Sequence, residues 1–535
     1  MLRASPGLVV CPGLVLCLLL GPLAGAAYAA NAANAANAAN AATNPDLGPN
    51  VMIVDPSMDA KALQAACDTI FTKQFSNQFG AERNAVLFRP GVYHADLTVG
   101  FYTQFAGLGR SPDDVIIKGV LQTKAFEANT NVTQNFWRAC ENFTAAPPDQ
   151  GRAVWAVSQA APMRRMHIAG DLWLFIGGWA SGGWLSDCKI DGKVVSGSQQ
   201  QWISRNCEWG SWQGGVWNMV HLGVVNPPAG GSEWNGKHPH TVIDKTPVIA
   251  EKPYLRVGDD GSIGVFVPAQ KRDSVGCGWQ VPAKEAGSWL PIDKFHIAKP
   301  GSDSAATINS ALAAGKHLLL TPGVYRLDRA LSVVKPRTVV LGLGMATLMP
   351  DQGTPALEVA DVDGVRVAGL LIDAGAKESP YLLQVGAPGS SQRHAQDPTY
   401  LYDIFCRVGG AGAANVAAAV VINSSDVVGD HTWIWRADHG EGAGWSSTRG
   451  TNGLVVNGAH VSYYGLFVEH FQEYQTLWNG DDGRMIFYQC ELPYDIPSQS
   501  AWTHGTGKGW AAYKVADGVK NHTAAGLAGL LRRRQ

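Results

Sequence analysis

The 535-residue chain is long enough for two or more domains with sizeable cores. Hydrophobic residues make up 46% and charged residues only 16%, below the roughly 25% typical of soluble domains, and 62 glycines favour an extended β structure over a helical one. A net charge of −2, with Lys and Arg scattered, provides no positive field for nucleic acid, so no such partner is expected.

The N-terminus reads as a secretory leader over residues 1–29. Arg3 supplies a weak positive start, Leu8 to Leu20 an apolar stretch short for a membrane span, and Ala27-Tyr28-Ala29 a cleavage site. No later stretch is apolar enough to cross a membrane, so a secreted, extracellular protein without membrane association is expected. An Asn-Ala-Ala repeat, Asn31 to Ala42, reads as part of a disordered linker over residues 30–49. Four sequons, Asn131, Asn142, Asn423 and Asn521, suit an exported glycoprotein. Cys11 and Cys17 belong to the leader. The remaining Cys67, Cys140, Cys188, Cys207, Cys277, Cys406 and Cys490 are widely spaced, give no zinc pattern, and leave room for one or two bridges.

A repeated block organises the rest. Ala85 to Phe88 is an apolar strand followed by Arg89-Pro90-Gly91-Val92-Tyr93. His317 to Leu320 is followed by Thr321-Pro322-Gly323-Val324-Tyr325. A helical pattern precedes each copy, Ala60 to Phe71 and Ala305 to Ala314, and a Gly-Leu-Gly follows each, at 107–109 and 342–344. Short apolar runs broken by Gly, Asn and Asp come next, such as Val365 to Val367, Leu454 to Val456 and Leu466 to Val468. They are too short for helices and suit the buried strands of a solenoid, whose stacked coils share one core. The expected domains are residues 50–290 and 291–535, with Pro227 to Leu290 extending the first solenoid. Asp481-Asp482-Gly483 lacks the further carboxylates of a calcium loop and reads as a turn. The basic run Arg532 to Arg534 reads as a frayed tail.

The segment 426–497 is the most specific. It holds Trp433-Ile434-Trp435-Arg436-Ala437-Asp438-His439, then Glu469-His470, then Glu491-Leu492-Pro493-Tyr494. This resembles glycoside hydrolase family 55, the exo- and endo-β-1,3-glucanases or laminarinases, with its W-x-W-x-A-D-H, E-H and E-x-P-Y stretches. The first half adds Trp155-Ala156-Val157-Ser158-Gln159-Ala160, Gly183-Trp184-Leu185-Ser186-Asp187 and Gln200-Gln201-Trp202 with Arg205-Asn206. The resemblance is ordered along most of residues 50–500, but residues 230–290 match nothing in the family pattern, so a divergent member is expected. It implies an all-β chain of two tandem right-handed single-stranded parallel β-helix domains of the pectate-lyase-like superfamily, with the site in the cleft between them.

Glu469 and Glu491 lie 22 residues apart, about one coil of a solenoid, so they are candidates for neighbours on adjacent strands about 4.8 Å apart. Two close carboxylates raise one pKa and keep that group protonated, which supplies a general acid. The resemblance assigns that role to Glu491, and to Glu469, with Gln159 and Ser186, the holding of the attacking water. It therefore implies inversion, for which the carboxyl separation should be about 6.5–9.5 Å. From the residues alone, Gln159 also fits a stacked polar ladder and Ser186 a turn. Asp438 and His439 fit either substrate binding or a structural hydrogen bond.

Seven of the 18 tryptophans fall between Trp173 and Trp217. Aromatic faces stack on sugars, which makes Trp212, Trp217, Trp435 and Trp478 candidates for the cleft, against a core role. The expected substrate is a polysaccharide, a β-glucan by resemblance. No cofactor or metal is expected, and the chain is expected to act as a monomer. A lyase or pectin-type hydrolase on the same scaffold would want a calcium site or clustered Lys and Arg. A catalytically silent glycan-binding wall protein is the third reading, against which the glutamate pair speaks.

Overall fold

Each copy of the repeated block folds the same way in the computed structural model, which describes residues 44–148, 151–229, 239–280 and 286–530. The expected leader, the Asn-Ala-Ala tract and Arg532 to Arg534 lie outside these residues. In the first copy, Asp59 caps the helix Ala60–Gln74 by accepting from the Ala62 amide. In the second, Ser304 accepts from the Thr307 amide to start Ala305–Ala313, which buries Ala305, Ile308 and Leu312 along one stripe. The Pro-Gly turns match in detail. Gly91 and Gly323 have φ of 153° and 156°, and a Cβ on either would strike a proline ring, Pro56 or Pro300. Tyr93 then donates its hydroxyl to Val54 O and Arg89 O, and Tyr325 to Ala298 O and Thr321 O.

Each block opens a parallel β-helix. In the first, a nine-stranded parallel sheet runs from Val51–Val54 to His240–Ile243, backed by a second sheet that starts at Gly91–His94. In the second, one sheet runs from Phe295–Ala298 to His522–Leu530, and a seven-stranded sheet from Leu331–Val333 to Tyr513–Val515. Val86, Val157 and Met163 lie in the core of the first helix, and Val367, Ile434 and Val468 in that of the second.

Residues 246–291 depart from the expected extension of the first solenoid. Thr246–Ile249 pairs antiparallel with Lys271–Ser274, and Tyr254–Val257, Ile263–Pro268 and Gly287–Pro291 form an antiparallel sheet. The segment carries prolines at 247, 253, 268 and 291, with Pro268 and Pro291 at the ends of paired strands.

The long strands of the second helix bend at one level. Gly369, Asp403, His431, Gly465, Phe487 and Gly526 occupy the left-handed region on successive coils. The bend turns this face toward the first helix, and a third apolar cluster fills the space between, with Phe136 and Trp137 from one side and Trp433 and Trp435 from the other. All seven described cysteines are free thiols. Two of the four sequon asparagines are buried and hydrogen-bonded to backbone: Asn142 donates to Gly107 O and Gly109 O, and Asn423 to Gly386 O.

Candidate active site

Two columns of side chains, one from each β-helix, meet across a cavity of about 290 Å³. On the second helix, parallel register places Trp435 beside Glu469 and Glu469 beside Glu491. Adjacent strands lie about 4.8 Å apart, so the two glutamates are neighbours at the ends of Ser462–Glu469 and Gly483–Glu491. On the first helix, the pairings Cys140↔Met163, Pro162↔Trp184 and Ala180↔Gln199 align Phe136, Gln159, Ser181 and Gln200 on successive coils. All of these residues line the cavity, together with Thr133, Gln134, Trp433, Asp438, His439, His470 and Tyr494.

Gln159 joins the columns. Its Nε2 donates to Glu469 Oε1 at 3.0 Å and to Ser181 Oγ at 3.4 Å. Its backbone is in the left-handed region at φ 28°, held there by His431, whose Nε2 donates to Gln159 O at 3.0 Å. Among the described residues nothing pairs with the buried Gln159 Oε1, so an acceptor remains for a guest in the cavity. Glu491 accepts from the Tyr494 hydroxyl on Oε2 and from Gln489 Nε2 on Oε1 at 3.1 Å. His470 Nε2 stands 3.9 Å from Glu491 Oε2.

Burial pushes the Glu469 carboxyl well above the usual range. The Glu491 charge and then Asp438 add to this, and the Trp433 indole and Gln489 amide offset only part of it. Glu469 therefore tends to keep its proton where an isolated glutamate would be ionised. Burial also opposes charge on Asp438, yet the His439 Nδ1 hydrogen bond at 2.7 Å and the nearby His470 hold its carboxyl below the usual range. His439 Nε2 in turn meets Gln78 Nε2 at 2.6 Å, tying this pair to the first helix.

Of the residues singled out from the sequence, Glu469, Glu491, Gln159, Trp435, Asp438 and His439 come together around the cavity. The other four do not line it. Ser186 is buried behind the wall, where it accepts from Arg164 Nη1 and Trp184 Nε1. Trp478 packs in the core of the second helix. Trp212 packs against Trp209 and His221 on the first helix and donates to Gly214 O. Trp217 lies one step outside, its amide donating to the carbonyl of the cavity residue Gln200. The hydroxyl that sits beside Gln159 belongs to Ser181 instead. Its spacing from Gln159 is 22 residues, the same as between the glutamates, which is the sequence signal that could have found it.

Behind the cavity lies a buried ionic network that joins the two helices. Arg164 makes paired bonds to Asp403 and reaches Asp430. Arg205 spans Asp430 and Glu251, and Lys252 contacts Glu141 and Asp403. Burial opposes charge on Asp403, but Arg164 and Lys252 hold its carboxyl far below the usual range. His431 Nδ1 lies 2.8 Å from Asp403, so the network reaches the Gln159 carbonyl through one imidazole.

A carboxyl pair in a small cleft between two parallel β-helices defines a carbohydrate-active hydrolase. Residues 295–491 match the LAM55 pectate lyase-like domain. An exo-β-1,3-glucanase of Streptomyces sp. (strain SirexAA-E / ActE) is 49% identical over 486 residues, 90% of this chain and 79% of its own length. The solved structure of sacteLam55A from Streptomyces sp. SirexAA-E superposes with a TM-score of 0.88 at 48% identity, covering 91% of this chain and 88% of that one. A variant of that protein in complex with glucose gives 0.87 at 48% identity over 90% and 86%. The chain belongs to glycoside hydrolase family 55, the laminarinase-like tandem β-helix enzymes.

Proposed function

We propose that this enzyme removes sugar from the end of β-1,3-glucan chains with inversion, using Glu491 as general acid and Glu469 to hold the attacking water. The observation that carries the reading is the Glu469–Glu491 pair facing Gln159 and Ser181 across one small cavity. A volume of about 290 Å³ is at the low end of the roughly 300–1,000 Å³ of ligand sites, which suits a chain end better than a chain passing through. The name of the 49% identical relative agrees with exo action on β-1,3-glucan.

The chemistry follows from the surroundings of each carboxyl. Gln159 Nε2 favours charge on Glu469, and a sugar that covers the half-buried Glu491 withdraws its water and favours the proton there. Glu491 then gives that proton to the departing glycosidic oxygen. Water held by Glu469, the free Gln159 Oε1 and Ser181 Oγ attacks the opposite face and passes its proton to Glu469. Gln159 and Ser181 are too weak as bases to do more than orient.

The raised Glu469 carboxyl favours a second reading with the roles exchanged. Glu491→Gln and Glu469→Gln separate the two when assayed on β-1,3-glucan and on β-glucosyl fluoride, whose leaving group needs no proton. Glu491→Gln should lose about 10²–10⁴-fold on the glucan and keep most activity on the fluoride, whereas Glu469→Gln should lose both. The reverse pattern would exchange the roles. NMR detection of α-glucose as the first product tests inversion, and β-glucose would refute it. We further propose that the enzyme is secreted, from the leader ending at Ala27-Tyr28-Ala29. N-terminal sequencing of protein from the culture medium should begin just beyond Ala29, and an intact Met1 would refute this.

A further inference from the structure

Arg436 is the last residue of strand Val428–Arg436, one position beyond Trp435, whose register partner is Glu469. Its side chain is fully buried, and a buried charge is tolerated only with a counter-charge and with its donors satisfied. Nε donates to Thr448 O at 2.9 Å, Nη2 to Gly444 O at 2.8 Å and Nη1 to His470 O at 3.3 Å. The two remaining N–H groups pair with Asp495, Nη1 to Oδ1 at 3.1 Å and Nη2 to Oδ2 at 2.8 Å. Every donor of the guanidinium is thereby engaged.

These partners lie on three segments that leave the sheet beside the cavity. Residues 437–448 carry the lining residues Asp438 and His439, His470 directly follows Glu469, and residues 492–497 carry Tyr494. In the last segment Pro493 and Pro497 have no N–H for a backbone bond, so a side-chain anchor matters more. Asp495 lies midway between them, next to Tyr494, and Arg436 is its partner. Tyr494 in turn donates its hydroxyl to Glu491 Oε2 and packs its ring against His470, 4.5 Å between centroids. With Gln489 Nε2 on Oε1, the Tyr494 bond fixes the plane of the Glu491 carboxyl.

We propose that Arg436 and Asp495 form a positioning pair for the general acid: they set the place of Tyr494, and through it the orientation of the Glu491 carboxyl toward the departing oxygen. The inference rests on the reading of Glu491 as that acid. Neither residue of the pair lines the cavity, so neither touches the substrate there. Their effect belongs to the step that needs a proton and not to binding.

The test compares wild type, Asp495→Ala, Asp495→Glu and Tyr494→Phe on β-1,3-glucan and on β-glucosyl fluoride, whose leaving group needs no proton. Asp495 is the partner to change, because its side chain is 25% exposed and the buried Arg436 keeps its three carbonyls. Asp495→Ala should lower kcat on the glucan about 10–100-fold with KM little changed, and lower the fluoride rate by less than about threefold. Asp495→Glu, which keeps the charge, should recover most of the loss. On top of Tyr494→Phe, Asp495→Ala should add little. An equal loss on both substrates, no loss, or losses that multiply with that of Tyr494→Phe would overturn the positioning pair. Glu491→Gln in the same assay tells two failures apart. A selective loss on the glucan there, with none in Asp495→Ala, removes the pair alone; an even loss there removes the acid reading and the pair with it.

Discussion

Glu469 is 3% exposed and has a second carboxylate one coil away. Such a group is kept for chemistry at a cost in stability. A carboxyl raised above its unfolded value binds its proton more tightly when folded. Its favourable contribution is therefore complete below about pH 4 and is lost as pH rises through the raised native value. Glu469→Gln keeps an oxygen for Gln159 Nε2 and removes the charge. The variant should be inactive on glucan yet more stable than wild type at pH 7, by about 1 kcal/mol or more, with the gap closing near pH 4. Chemical denaturation at the two pH values measures this, and a variant less stable at pH 7 would contradict it.

At the scale of strands and coils, the turns that stack the second helix are joined by an asparagine ladder. Asn457 Nδ2 donates to Asn423 Oδ1 and Asn479 Nδ2 to Asn457 Oδ1, both at 2.8 Å, while Asn423 donates to Gly386 O. Asn423→Ala leaves a buried carbonyl and a neighbouring amide without their partner. It should cost about 1–3 kcal/mol in urea unfolding with kcat little changed. Mass spectrometry of protein from a glycosylating host should find Asn142 and Asn423 bare, because both side chains are buried with their amides bonded to backbone carbonyls. The same elements show what a sequence displays. The Pro-Gly-Val-Tyr blocks were legible because their turn chemistry is local, and the glutamate pair because one coil is a fixed spacing. Ser186 comes from the resemblance of Gly183-Trp184-Leu185-Ser186-Asp187, whereas the 22-residue spacing applied to Gln159 leads to Ser181. The antiparallel strands of 246–291 were missed because strand direction leaves little trace in short apolar runs. The Asn-Phe-Thr and Asn-Ser-Ser triplets looked like surface signals because a buried ladder asparagine and an exposed one read alike.

The two β-helices form one compact unit whose contact surface is as well buried as either core. Its charged centre was illegible in the sequence, since Arg164 meets Asp403 and Asp430 across 239 and 266 residues. A shared apolar cluster and a shared ionic network should make the halves unfold together, and a calorimetric scan should show one transition. Two resolved transitions would show that the interface is weaker than its burial implies. The network itself is not a surplus of stability, because buried ions pay heavily to leave water. Its consequence lies in what happens when one partner is removed. Arg164→Leu would leave Asp403 with Lys252 alone as its cation and Asp430 with Arg205 alone, and would withdraw one of the two donors to Ser186 Oγ behind the catalytic wall. The expected loss is about 3–5 kcal/mol at neutral pH. In the wild type, Asp403 is held below its unfolded value, so its contribution is present above about pH 4 and is lost as pH falls toward the depressed native value. In the variant the same carboxyl lacks its guanidinium and gains from taking up a proton. The difference between the two proteins should therefore shrink as pH falls from 7 to 4, and a difference constant across that range would mean that Arg164 acts by packing rather than by charge.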